Sequence, residues 1–208
     1  MGFYCETFAG MSSNLMFNFY EIMIISLLCG LIYLFVKLIF NGYGGRLGSM
    51  AFISTLFIEL ILSKKSIVLA IRYDFYLIII TAIIGVSVPI SLQIFFKYNV
   101  VLASALPSLI FMLGMLLIGQ EDSIYTLVFF AASFAGMSDR ALIKNIYESL
   151  FVGLILGFIF YEFLYLYNGF GGKLGLITLI SVIVFLFFKR VVIILKKSLY
   201  LIFKKESI

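Results

Sequence analysis

Residues 41–48 read NGYGGRLG, and residues 168–175 read NGFGGKLG. The two stretches stand at an offset of 127 residues, and the correspondence reaches upstream at the same offset. Asn18, Tyr20 and Glu21 return as Asn145, Tyr147 and Glu148, and Gly30 returns as Gly157. FAGMS at 8–12 returns as FAGMS at 134–138, one residue out of step. Ordered identities that include turn residues and an acid are not what hydrophobic bias alone produces, so the chain reads as an internal duplication. In a membrane protein this points toward transport, because many transporters place their site where two repeats meet.

The membrane assignment rests on composition. Of 208 residues, 64% are apolar and 12% charged, against about 45–50% and about 25% in ordinary soluble domains. Mean hydropathy is +1.21. Apolar runs at 19–40, 75–96, 100–119 and 146–167 have the roughly 20 residues that a helix needs to cross a bilayer. A β-barrel would show alternating segments of about 10 residues instead, and no secretory leader is evident in the first 17 residues. Cys5 and Cys29 suggest no disulfide framework, and Cys29 reads as a small packing residue within an apolar helix. There is no histidine. Its absence removes the commonest metal ligand and the commonest general base. No catalytic, metal or cofactor motif is present, so an enzyme is not expected.

Net charge is +5, and Lys189, Arg190, Lys196, Lys197, Lys204 and Lys205 gather in the C-terminal segment. They interleave with VVIIL and LYLIF, a pattern that suits an interfacial helix beside anionic lipid better than a nucleic-acid tail. The positive-inside rule puts this end in the cytoplasm, with the protein in a plasma or inner membrane.

Helices are expected at about 18–40, 49–63, 75–96, 100–119, 146–167 and 175–188. Two apolar stretches are short. Residues 49–63 precede Lys64 and Lys65, and 124–137 end in small residues. If 124–137 re-enters without crossing, the two glycine-rich loops face the same side and the repeats are parallel. If it crosses, the repeats are inverted. The count of Lys and Arg does not decide. The short, polar partner segment 1–11 and the related placement of Lys64, Lys65 and Arg72 against Lys189, Arg190 and Lys197 lean toward parallel.

The motif itself has a mechanical reading. Asn41-Gly42 stops a helix, Gly44 and Gly45 reverse the chain, as do Gly171 and Gly172, and a new helix begins near Gly48. Its first amides lack internal partners. Beside Arg46 or Lys173 they form either a tight hairpin with a snorkelling cation or a loop that holds an anion or lipid phosphate. Ser12 and Ser138 are expected to cap the segments that follow them, with Gly10 and Gly136 allowing close backbone approach, or to end a pair of re-entrant half-helices that make an ion site at membrane depth. Glu21 and Glu148 suit helix starts through the helix dipole, or face a pathway as a symmetry-related pair.

Glu59, Glu162 and Lys37 stand inside apolar runs, where an ionisable group costs roughly 2.5–3.5 kcal/mol at the helix centre and marks a partner, water or a substrate. Lys37 and Glu162 are candidates for an ion pair between the halves. Pro89 and Pro107 fall at one depth of a hairpin, where each frees a carbonyl (of Gly85 and Ala103) and kinks its helix. With Ser87, Ser91, Ser104 and Ser108 around them they read as matched kinks, a hinge or a pore lining.

These readings converge on an all-α polytopic membrane protein of about six crossings, in two sequence-related halves at 1–98 and 99–208. The second half carries the basic tail at 189–208. The function expected first is a channel or carrier for an ion or small solute, with homo-oligomerisation to complete a pathway in so small a chain. The second is a non-transporting subunit that anchors or assembles a larger complex through the tail. A lipid-modifying membrane enzyme ranks third.

Overall fold

The computed structural model describes residues 2–36, 38–63, 73–120 and 123–206, with side chains described between residues 5 and 198 of these. Among the described residues the chain forms eight helices: α1 (Gly2–Gly10), α2 (Phe19–Val36), α3 (Arg46–Leu62), α4 (Phe75–Phe95), α5 (Val100–Leu117), α6 (Ile124–Gly136), α7 (Ile146–Glu162) and α8 (Lys173–Glu206). Four are long and apolar enough to cross a membrane: α2, α4, α5 and the Lys173–Ser198 part of α8. Their unpacked faces are apolar as well. Leu27, Phe35, Leu117 and Phe187 are all largely exposed, as expected where lipid rather than water surrounds the protein.

Local chemistry sets the helix ends. The Asn99 and Ser123 side chains accept from Val101 N and Tyr125 N at 3.3 Å each, capping α5 and α6 as short polar residues do at helix starts. α2 and α7 stop at Val36 and Glu162, before their apolar runs end. In the first case Phe40, Gly42 and Gly45 take positive φ, and in the second Tyr167, Gly169 and Gly172 do so. A right-handed helix does not continue through such residues, so each apolar run finishes as a folded turn. α8 departs from expectation in the other direction. The segment after residue 188 continues the same helix to Glu206 rather than breaking into a separate interfacial one.

The core has two parts. One fills the space among α4, α6, α7 and α8, around Ile78, Val86, Val128, Leu156 and Ile177. The other lies among α1, α2 and α3, around Cys5, Ala9, Phe17, Ile25, Met50 and Phe52. Cys5 and Cys29 are joined as a disulfide that ties α1 to α2. This corrects the reading of Cys29 as a lone packing residue: the turn at 11–18 folds α1 back onto α2 and brings the sulfurs together.

Backbones approach through glycine. A Cβ on Gly153 would lie 2.6 Å from Ile83 Cα, and one on Gly157 would lie 2.8 Å from Ile79 Cα, so α4 sits directly against α7. A Cβ on Gly136 would lie 2.7 Å from Pro89 Cβ. Pro89 is thus a packing piece between α4 and α6. α4 and α5 run on as helices through Pro89 and Pro107. Two of the neighbouring hydroxyls donate back along α5, Ser104 to Val101 O at 3.1 Å and Ser108 to Ser104 O at 2.8 Å, and Ser87 Oγ lies 3.3 Å from Ser149 Oγ.

The tightest approach is between α3 and α8. A Cβ on Gly45 would strike Gly175 O and Thr178, one on Gly48 would lie 2.8 Å from Gly175 Cα, and one on Gly172 would lie 2.6 Å from Phe52 N. As α3 advances from 45 to 52, its contacts on α8 retreat from 179 to 172, so the two helices run antiparallel. Small residues at such a crossing are the usual device for packing helices in lipid. Gly175→Val is expected to cost about 3 kcal/mol or more by overpacking, measured as a drop in unfolding free energy in detergent. Gly114→Ala, where a Cβ meets nothing within 4 Å, is expected to be neutral or to stabilise by up to about 1 kcal/mol.

Candidate functional site

The antiparallel crossing brings the loops at 38–45 and 163–172 close to each other, and each is held by a short helix distant in sequence. Gly44 N donates to Ser138 Oγ at 3.0 Å, beyond the end of α6. Gly171 N donates to Ser12 Oγ at 3.1 Å, beyond the end of α1. The next residues repeat the pattern on the backbone. Asp139 N donates to Gly42 O at 2.7 Å, and Ser13 N donates to Gly169 O at 2.8 Å. A Cβ on Gly44 would strike Phe134 O, and one on Gly171 would lie 2.6 Å from Phe8 O. Only glycine lets the loop backbone sit this close to the short helix.

Ser12 and Ser138 therefore do not cap the segments that follow them, as expected from sequence. They terminate loops 159 and 94 residues away. Both serines are buried, where an amide without an acceptor costs about 1–3 kcal/mol, so the reach across the fold satisfies amides that the loop itself cannot.

Each loop also positions one cation. Arg46 donates to Asn41 Oδ1 at 3.2 Å. Lys173 donates to Asn168 Oδ1 at 2.7 Å and to Leu164 O at 3.3 Å. Both cations stand at the first residue of a helix, α3 or α8, where free amides and the helix dipole favour anions. Asn168 Nδ2 is buried and has no hydrogen-bond partner.

The remaining sequence candidates separate. Glu21 accepts from Asn18 N at 2.7 Å and Glu148 from Lys144 N at 2.8 Å, both bonds of a helix start. Glu148 also pairs with Lys189 at 2.8 Å, and Lys189 donates further to Leu142 O at 3.1 Å. This ion pair was not visible in the sequence, because only the α7–α8 hairpin brings the residues together. Glu162 is exposed at the last turn of α7, and Glu59 is partly buried near the end of α3 with no described partner. Lys37, and with it the expected Lys37–Glu162 pair, lies outside the described residues, as do Lys64, Lys65 and Arg72. Among the described residues no group of three or more His, Cys, Asp and Glu side chains is placed to hold a metal ion.

No protein-family model, curated protein or solved structure matches the chain. Ser12→Ala and Ser138→Ala are each expected to lower unfolding free energy by about 1–3 kcal/mol, because each strands a buried amide. Ser13→Ala, whose hydroxyl serves an exposed turn amide at Leu15, is expected to change it by less than about 0.5 kcal/mol. Denaturant unfolding of the purified chain in detergent measures all three.

Proposed function

We propose that the chain is a membrane transport protein, a channel or carrier for an anionic solute. In this reading it is built from two related, inverted halves, α1–α3 and α6–α8, with the α4–α5 hairpin inserted between them. The observation that carries the reading is the reciprocal hold on the two loops: Ser138 on Gly44, and Ser12 on Gly171. Irregular backbone is tolerated at membrane depth only where protein buries it or a cavity adjoins it. Here a helix end from the opposite half buries each loop, and the loops flank the crossing of α3 and α8.

The antiparallel run of α3 and α8 favours inverted halves over the parallel arrangement toward which the sequence leaned. α6 is too short to resemble a spanning helix, yet nine of its thirteen residues are buried. It acts as a buried half-helix that delivers Ser138 to the first loop, as α1 delivers Ser12 to the second. Arg46 and Lys173 then put positive charge beside free helix amides on both sides of the crossing, which sets the preference for anions.

A second reading draws on α8. It continues past the ion pair at Lys189, and Val192–Leu195 are exposed, so this segment offers a surface for a partner of an anchoring subunit. Flux separates the two. Full-length protein in liposomes is expected to carry chloride or inorganic phosphate, and the double variant Arg46→Met/Lys173→Met is expected to lower the rate at least tenfold. Glu162→Gln, at an exposed helix end, is expected to leave it within twofold. Absence of flux in the unaltered protein contradicts the transport reading, and flux that survives loss of both cations removes Arg46 and Lys173 from the mechanism.

A further inference from the structure

A cavity of about 250 Å³ adjoins the second loop. Its walls are Phe8, Phe130, Phe134 and Phe160, and its polar end is formed by Asn168 and Lys173. Phe134 stands edge-on to Phe8 at 5.3 Å and to Phe130 at 4.6 Å, which fixes an aromatic wall. At the rim, Met11 and Leu127 are 60% and 46% exposed, so the cavity opens on the apolar outer surface of the protein.

The polar end carries charge that the protein does not neutralise. Lys173 is held only by the neutral oxygens of Leu164 and Asn168. No described residue offers it a carboxylate within ion-pair distance. Lys189, another partly buried cation, has Glu148 at 2.8 Å. Beside Lys173, both N–H groups of the buried Asn168 Nδ2 have no acceptor. Removing a cation from water without a counter-charge is costly, and unpartnered buried donors add to that cost.

The two loops differ at one informative position. Asp139, whose N–H donates to Gly42 O, lies with its side chain against Gly42 in the Arg46 loop. The residue that makes the matching bond to Gly169, a lining residue of the cavity, is Ser13. The local turns are alike. Asp139 Oδ1 accepts from Ala141 N at 2.9 Å, and Ser13 Oγ accepts from Leu15 N at 3.3 Å. One loop thus has a carboxylate built in, and the other has a neutral hydroxyl in its place.

We infer that this cavity binds an amphiphile with a compact anionic head group, a carboxylate or a phosphate monoester on an acyl chain. The head sits between Lys173 and Asn168, and the chain leaves past the phenylalanines and Leu127 into the bilayer. The volume is below the roughly 300–1,000 Å³ of sites that enclose a drug-sized ligand, so it takes the head group and the start of the chain. The lateral opening accommodates the remainder. The assignment rests on the cavity itself and holds whether or not the chain transports an anion.

The test is equilibrium binding of dansyl-undecanoate to the full chain in phosphatidylcholine nanodiscs. The carboxylate probe is expected to bind at least tenfold more tightly than its neutral amide. Lys173→Met and Ser13→Asp are each expected to weaken it at least tenfold. Ser13→Asp keeps the turn seen at Asp139 and so separates loss of the ligand from loss of the fold, with thermal unfolding as the check. Displacement by a monoacyl glycerol phosphate or by oleate supports the inference, and the better competitor identifies the head group. Displacement by inorganic phosphate alone, equal binding of acid and amide, or undiminished binding in a folded Ser13→Asp variant overturns it.

Discussion

Two buried serine hydroxyls hold the centre of this protein. The amide of Gly44 has no acceptor in its own loop, nor has that of Gly171, and each finds one in a short helix from the far part of the chain, at Ser138 and Ser12. Much follows from this requirement. The short helices must stop where they do, the loops must carry glycine where the helix backbone presses on them, and α3 and α8 must begin beside each other. In lipid an unsatisfied amide costs more than it does at a wet surface, so these two bonds constrain the fold more than two bonds would in a soluble protein.

Packing then does what the hydrophobic effect cannot do between helices surrounded by lipid. Association in the bilayer depends on close van der Waals contact and a few hydrogen bonds. Gly48 and Gly175 at the α3–α8 crossing, Gly153 and Gly157 under α4, and Gly136 against Pro89 supply the close contact. Thr178, which donates to Ala131 O at 2.7 Å, and Gln93, which donates to Gly136 O at 2.8 Å, supply hydrogen bonds onto α6. α6 is held on several sides and keeps the first loop in place. Charge is treated unevenly across this scaffold: Lys189 has its carboxylate within the protein, whereas Lys173 has neutral oxygens and an open cavity.

Much of the helix layout was legible in the sequence, because apolar runs and Asn-Gly turns act locally. The boundaries of α4 and α5 fall within two residues of expectation, and Gly42 takes the left-handed conformation assigned to it. The ends of α2 and α7 were overrun because Phe40 and Tyr167 are apolar yet adopt positive φ, which composition does not reveal. The repeated serines were visible as a pattern, but their partners were not. A hydroxyl that caps its own segment and one that caps a loop 159 residues away look alike along the chain. The same holds for the Cys5–Cys29 disulfide and the Lys189–Glu148 pair, which form only once the hairpins close.

In the proposed architecture the two glycine loops belong to halves of opposite orientation. Tyr20 and Tyr147 are matched positions at the starts of α2 and α7, and both are largely exposed. Single cysteines placed there, in sealed vesicles of one orientation, report their side by reaction with a membrane-impermeant maleimide. Inverted halves require that one of the two positions be labelled from outside and the other only after permeabilisation. Labelling of both from the same side rules out inverted halves.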